Sequence, residues 1–597
     1  MPAKVNRMHS AAGFRLTGRW FILYTLIALA AIFFVPRLIP TSLSASDSYL
    51  FGYNNRAGIL LLIFFVAVGA VLTRGFGVDT PGSAEGRRMP RSFLVWSLGL
   101  VAIGCAVMYL FAGRYSGFGE SFYLIDRIWL LDVGRMPYRD FEFAYGPAQL
   151  YGPLLLHQVL RLGIPQSYFL FWALSYLLGT YFLFETVDIV DFPSNRKPWI
   201  YALLFGAGIF AIIRMGTNYT FLRYALPIYL VLKIHRRFCD TRTISIFTDV
   251  LLTIAFCGVL ILLSPEMAVA FAFATMCICV FRQELTLPAR AIIAGTLMVA
   301  FSMSFLVALK LHVLDAMLAD GGGAISFPIV PGPPILVYFA ALFVCAAYLY
   351  RSLLNGSGDA NIRGLIFFSI PMIAAALGRC DPSHVFWNGL SAFLASLLLV
   401  SINRRAWIVY AFAFLLCVFL LPNLSEFYLF VPQLRSARFF NKHPDVRPSQ
   451  ERIEGFLSAW PGDYVAPLGY RPDGFGTYHS SRIEFGRYED LIDVSTPHSV
   501  FQKVSEMQAY PDRALILPYH ADEYCRTKQR TESHFLEVLL LFPYIGRFVH
   551  TDFARQPICR YMNDHYSMLV EPTAETLWYG IWIPNSAKST AITRAGF

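Results

Sequence analysis

Thirteen apolar stretches divide the first 423 residues of this 597-residue chain, and they constrain its fold class before any single side chain is considered. They lie near 20–39, 57–73, 92–112, 166–186, 198–213, 219–234, 245–263, 267–281, 290–311, 335–350, 364–378, 385–402 and 406–422. About 20 apolar residues in helical form cross the hydrocarbon core of a bilayer, and a helix satisfies its own backbone hydrogen bonds there. The expected fold is therefore a polytopic α-helical membrane protein with about 13 transmembrane helices. Composition agrees: 56% hydrophobic residues, 15% charged residues and a mean hydropathy of +0.51 lie outside the range of ordinary soluble domains.

The net charge of +10 would point to nucleic acid in a soluble chain. Here Lys and Arg gather in alternate loops: Arg87, Arg88 and Arg91, then Arg196 and Lys197, then Lys233, Arg236 and Arg237, then Arg351 and Arg363, then Arg404 and Arg405. That alternation is the positive-inside pattern, and it starts the chain in the cytoplasm. The first apolar run is too long for a signal peptide and reads as an anchor. No basic stretch is interleaved with stacking aromatics, so no nucleic-acid partner is expected. The threading requires 148–163 to be a re-entrant or surface helix, because Gly152, Pro153, His157 and Arg161 are costly against lipid. The outer side then collects a first loop at 113–165, a turn at 214–223, SPE at 264–266, a Gly/Pro-rich loop at 315–334 and GRCDPSH at 378–384.

From Leu424 onward the hydrophobic runs shorten, with alternating segments such as RALILPYH and FLEVLLLFPYIGRFVH between turn residues. This predicts a transmembrane domain over 1–423 and a small extracytoplasmic α/β domain over 424–597. Cys105, Cys257, Cys277, Cys279, Cys345 and Cys417 fall within spans and read as small apolar packers. Cys525 and Cys559 fall in the C-terminal domain and are candidates for a disulfide if that domain faces an oxidising compartment.

The segment from Gly119 to Pro153, GESFYLIDRIWLLDVGRMPYRDFEFAYGPAQLYGP, is the chemically richest of the outer loops. Glu120 follows the third span, and YRDFEFAYGP carries Arg139, Asp140, Glu142 and Tyr145. A carboxylate at a membrane rim can serve as general base toward a hydroxyl or as a hard metal ligand. The competing reading is a solvated loop whose acids pair with Arg114, Arg127, Arg135 and Arg139.

An acid just after an early span, then a G-x-x-PYRDF segment and YGP, resembles the first outer loop of GT-C glycosyltransferases, polytopic enzymes that use polyprenyl-phosphate sugars. The bacterial relatives include protein mannosyltransferase-like and lipid A aminoarabinose transferase-like proteins. The resemblance implies a catalytic base in that loop and an inverting transfer. The family's leading aspartate falls on Gly119, so the roles of base pass to Glu120 first and Asp140 second. SPE and ALGRCDPSH also resemble outer-edge motifs of distant members; as local structure they read equally as a helix start and as a turn capped by Asp381. Arg214, Arg223, Arg379 and His384 are the candidate donor-phosphate ligands, since a guanidinium fork binds two oxygens at once. Their alternative is snorkelling to lipid headgroups. Glu142, Glu266 and Asp381 are further site candidates, and with Asp140 they would suit a divalent cation, although no cofactor is required. Tyr145, Tyr470 and Arg471 are candidate acceptor contacts.

The implied reaction is transfer of a sugar from a polyprenyl-phosphate donor to an acceptor hydroxyl of a glycan, lipid or protein, at the extracytoplasmic face of a bacterial inner membrane. It belongs to cell-envelope glycan or glycoconjugate synthesis. No GxxxxGK[ST] loop is present, and the donor's own phosphoester bond would supply the energy. The rival from another class is a secondary transporter or flippase, which usually carries ionisable groups in mid-span and shows two similar halves. A polysaccharide polymerase or ligase and a non-catalytic assembly protein are the remaining alternatives.

Overall fold

The computed structural model describes residues 18–40, 53–72, 88–112, 120–141, 143–190, 196–239, 246–281, 286–315, 317–318, 329, 332–355, 359–379, 382–402, 460, 462–466, 483–485, 497–518, 528–529, 551–552, 557–571 and 579–587. Each of the first twelve apolar stretches is helical there. In chain order the helices are α1 (Gly18–Leu38), α2 (Asn55–Leu72), α3 (Arg91–Ala112), α4 (Glu120–Asp132), α5 (Ala148–Leu160), α6 (Ile164–Ile189), α7 (Lys197–Ile209), α8 (Phe221–Cys239), α9 (Ile246–Leu263), α10 (Pro265–Val280) and α11 (Leu287–Lys310). They continue with α12 (Pro333–Asn355), α13 (Ala360–Arg379), α14 (Pro382–Asn388) and α15 (Leu390–Ile402).

Among the described residues, 7 helices are long and apolar enough to cross a membrane: α2, α3, α6, α7 with the 3-10 turn that extends it, α11, α12 and α13. The apolar parts of α1, α9, α10 and α15 are shorter. In α8, Arg223 stands near one end and Lys233, Arg236 and Arg237 near the other, which breaks its apolar run. Among the described residues, seven of the thirteen expected crossings meet both the length and the apolarity that a span requires, and the stretch at 406–422 lies outside the described residues. The chain is a helical membrane protein. α5, with 13 residues, is too short to cross a bilayer about 30 Å thick, and it ends at Arg161 in the left-handed conformation, φ 54.

Burial separates the middle of the bundle from its rim. In α13, 67% of the apolar window is buried, against 22% in α3 and in α11. The outward sides of those two helices carry Val95, Leu100, Ile103, Met298, Val299 and Met303, apolar groups suited to lipid. α6 packs on α8, α8 on α10, and α10 on α13, around the buried aromatic side chains Trp172, Tyr176 and Trp387.

Polar contacts gather at the two ends of this bundle. At one end Met89 N donates to Asp188 Oδ1 at 2.6 Å, Lys197 Nζ to Asp188 O at 2.7 Å, Arg236 to Ile189 O, and Arg237 Nε to Asp249 Oδ1 at 2.9 Å. α6 runs from that end to the other, where Glu120, the turn between α7 and α8, and the start of α10 meet. The end of α13 reaches α2 at the same rim, where Asn55 Nδ2 donates to Gly378 O at 3.4 Å.

Near the C-terminus a five-stranded sheet has the order β2-β1-β3-β7-β6, with β1 (Tyr464–Ala466), β2 (Ile483–Phe485) and β3 (Ala514–Pro518) parallel. β7 (Tyr579–Pro584) runs antiparallel to β3 and to β6 (Tyr566–Val570); a separate pair joins β4 (Lys528–Gln529) to β5 (Thr551–Asp552). RALILPYH supplies β3, as its alternation predicts, whereas FLEVLLLFPYIGRFVH lies outside the described residues. α16 (Pro497–Ala509) and α17 (Pro557–His565) share with β3, β6 and β7 a small core of Met507, Leu515, Ile558, Met562, Tyr566 and Trp582. Cys559, fully buried in that core, is in a disulfide whose partner lies outside the described residues.

Candidate functional site

Between α7 and α8 the chain folds into two 3-10 turns, Phe210–Arg214 and Thr217–Tyr219. Met215 joins them at φ 52, a left-handed conformation that costs a residue with a Cβ about 1–3 kcal/mol. Buried tyrosines of α6 hold the turn in place: Tyr168 Oη donates to Met215 O at 2.6 Å, and Tyr176 Oη donates to Tyr219 O at 3.0 Å. Gln149 of α5 ties the same turn to α9, accepting from Thr217 Oγ1 at 3.0 Å and donating to Leu263 O at 3.1 Å. YGP sits against that helix end as well. A Cβ on Gly146 would stand 2.3 Å from Leu262 O, so only glycine permits this approach.

These contacts bring together residues far apart in sequence. Asn218 Nδ2 donates to Tyr145 Oη at 2.8 Å and lies 3.4 Å from Glu120 Oε2. Glu120 opens α4, where the exposed backbone amides of a first helical turn favour a negative charge. It is half-buried, whereas Asn218 is 1% exposed.

Arg223, in the first turn of α8, spreads its fork over several acceptors. Nε donates to Ser264 Oγ and to Glu266 Oε1, each at 3.0 Å; Nη1 donates to Asn218 O at 3.1 Å; Nη2 also reaches Glu266 Oε1. The guanidinium lies 4.6 Å from the Tyr145 ring centroid and 5.1 Å from that of Tyr224. SPE is therefore both a helix start, with Pro265 in the first turn of α10, and part of this cluster, since Ser264 Oγ donates to Glu266 Oε1 at 2.5 Å. Arg214 lies 4.7 Å from the Tyr219 ring, and His384, from α14, meets the same ring edge-on at 5.9 Å.

Asp140 belongs to a different local structure. Arg139 donates to both of its oxygens, at 2.8 and 2.9 Å, and Met136 N donates to Oδ2 at 2.8 Å. The Arg139 hydrogen bonds and then the Met136 amide hold its carboxyl down at about 2, which makes it a poor proton acceptor near neutrality. This is the solvated-loop pairing weighed above, realised at Asp140; Asp132 makes a longer contact, 3.9 Å, with His157. The Asp140 turn reaches the cluster through Tyr138, at φ 68, whose hydroxyl donates to Tyr145 O at 2.6 Å. Burial pushes that phenol's pKa up, so it remains a donor.

Glu142, Asp381, Tyr470, Arg471 and the side chain of Arg379 lie outside the described residues. No group of three or more His, Cys, Asp or Glu side chains able to hold a metal occurs among the described residues. Sequence reading passed over Asn218, Thr217 and Gln149. The signal for the first two is GTNYT, a run of uncharged polar residues between two apolar stretches whose flanking arginines are the more conspicuous groups. Compared with known proteins, the sequence matches no family model and no curated protein.

Proposed function

We propose that this chain is an integral membrane glycosyltransferase that moves a sugar, with inversion, from a polyprenyl-phosphate donor to an acceptor hydroxyl on the extracytoplasmic face. The observation that carries the reading is the meeting of Glu120, Asn218, Tyr145, Arg223 and Glu266 at one end of an apolar bundle, with Arg214 and His384 on the neighbouring Tyr219 ring. A lipid-linked donor arrives from the bilayer at that rim. Glu120 takes the proton of the acceptor hydroxyl as its oxygen attacks the anomeric carbon; the bond from that carbon to the phosphate oxygen breaks, and its electron pair leaves with the polyprenyl phosphate. Arg214 and His384 hold the departing phosphate. Arg223, already committed to Glu266, serves to hold Tyr145 and Asn218 in place.

All thirteen apolar stretches are read as crossings, which puts the site and the C-terminal domain on the same, outer side. The disulfide at Cys559 favours that assignment, because disulfides persist in oxidising compartments such as the periplasm. The transporter reading is less favoured, since the described buried charges gather at the ends of the bundle.

The test is release of polyprenyl phosphate from a panel of radiolabelled polyprenyl-phosphate sugars by the chain in nanodiscs. Wild type and Asp140→Asn are expected to release it, and Glu120→Gln to lose release by at least about 100-fold while still binding donor. Wild type that releases nothing, while the sugar-lipid crosses the bilayer of proteoliposomes, would establish the flippase instead.

A further inference from the structure

Asn218 holds a buried oxygen that nothing among the described residues uses. Its Nδ2 serves Tyr145 and Glu120, its backbone oxygen accepts from Arg223, and its side-chain Oδ1 has no hydrogen-bond partner although the residue is 1% exposed. The amide orientation follows from Glu120, because an amide oxygen turned toward a carboxylate would meet a like partial charge. A buried acceptor left unpaired costs about 1–3 kcal/mol, and such a group calls for an explanation, such as a catalytic role or completion by a water or ion.

The place of this oxygen is informative. A Cβ on Gly216 would stand 2.2 Å from Asn218 Oδ1 and 2.8 Å from Glu120 Cβ, so both residues pack directly against that glycine, side by side. A carboxylate beside an amide oxygen presents two acceptors side by side. Two neighbouring hydroxyls of a sugar ring present two donors, and the Tyr145 hydroxyl lies 2.8 Å from Asn218 Nδ2 beside them.

We infer that Asn218 is a specificity residue: its Oδ1 accepts a hydrogen bond from a ring hydroxyl of the substrate, next to the hydroxyl that Glu120 engages. This rests on the glycosyltransferase reading and narrows its substrate to a sugar with a free hydroxyl pair at that position. A site that hydrogen-bonds a substrate hydroxyl discriminates strongly against the analogue lacking it, because its own polar group is then left unpaired.

The experiment uses the full chain in nanodiscs and saturation-transfer NMR with methyl glycosides of glucose, mannose, galactose, arabinose and xylose, and with their mono-deoxy forms. Wild type is expected to bind at least one parent glycoside and to bind one of its deoxy forms about tenfold or more weakly. Asn218→Ala should bind parent and deoxy forms equally, since the hydroxyl has lost its partner. Gly216→Ala, which displaces Oδ1, should erase the same preference and stands in if Asn218→Ala does not fold. The inference is overturned if wild type binds none of the parents, or if the deoxy penalty survives in both variants. Polyprenyl-phosphate release, measured alongside, separates the two claims. Sugar binding coupled to Asn218 without release defeats the transferase reading alone, and release without that coupling defeats only the role of Asn218.

Discussion

The Arg223–Glu266 contact makes a quantitative prediction. The two side chains are 10% and 18% exposed, so both charges are largely withdrawn from water. Arg223→Met removes the cation and leaves Glu266 buried with, among the described residues, Ser264 as its partner; removing one member of a buried pair costs about 3–5 kcal/mol. Glu266→Leu strands the guanidinium and should cost a similar amount. The double variant removes both charges together. Its remaining deficit is the lost donor to Asn218 O, a buried acceptor worth about 1–3 kcal/mol. The expected order of stability is wild type, then the double variant, then either single variant. SDS-driven unfolding in mixed micelles, followed by tryptophan fluorescence, measures all four corners of the cycle. A single variant within about 1 kcal/mol of wild type, or a double variant as unstable as the sum of the singles, would show that the pair is not the buried clamp described here.

Three further predictions concern separate parts of the molecule. The Asp140 carboxyl lies near 2, below its usual 3.8; a lowered folded-state pKa gives stabilisation that is complete above about 4 and lost as pH falls toward 2. Amide exchange at Met136 and Asp140 should therefore be flat from pH 7 to about 4 after correction for intrinsic rates, and should accelerate in Asp140→Asn at every pH in that range. Gly146→Ala places a methyl group against the backbone of Leu262 and Leu263, which cannot move aside as a side chain can. A loss of about 1–3 kcal/mol or more is expected in the same unfolding assay, and wild-type stability would refute the close approach. Cys559→Ser should destabilise the C-terminal core by about 2–4 kcal/mol, read by limited proteolysis, and wild type should show no free thiol at Cys559 by mass spectrometry after non-reducing alkylation.

Much of the fold was legible because hydrophobic patterning acts locally. A stretch that is apolar over one or two dozen residues must form a helix in lipid, so twelve of the helical positions followed from composition and length alone. The rim positions of Glu120, Arg214, Arg223, Glu266 and His384 followed too, since each is a polar residue at the edge of an apolar run. Position did not reveal role. Glu120 and Asp140 are equivalent as rim carboxylates in sequence. They differ because Arg139 and the Met136 amide close on Asp140, whereas Glu120 meets Asn218 from a turn 98 residues away. Arg223 is a candidate phosphate ligand by sequence, and only the packing of α8 against α10 shows Glu266 beside it. Asn218 carried no charge to draw notice, and its weight comes from burial, which depends on α4, α5, α6 and α9 closing around one turn. Periodicity and charge therefore determined which segments are helices and which groups lie at the rim. The tertiary structure decided which of those groups meet one another, because pairing and desolvation depend on distances between segments that no local pattern encodes.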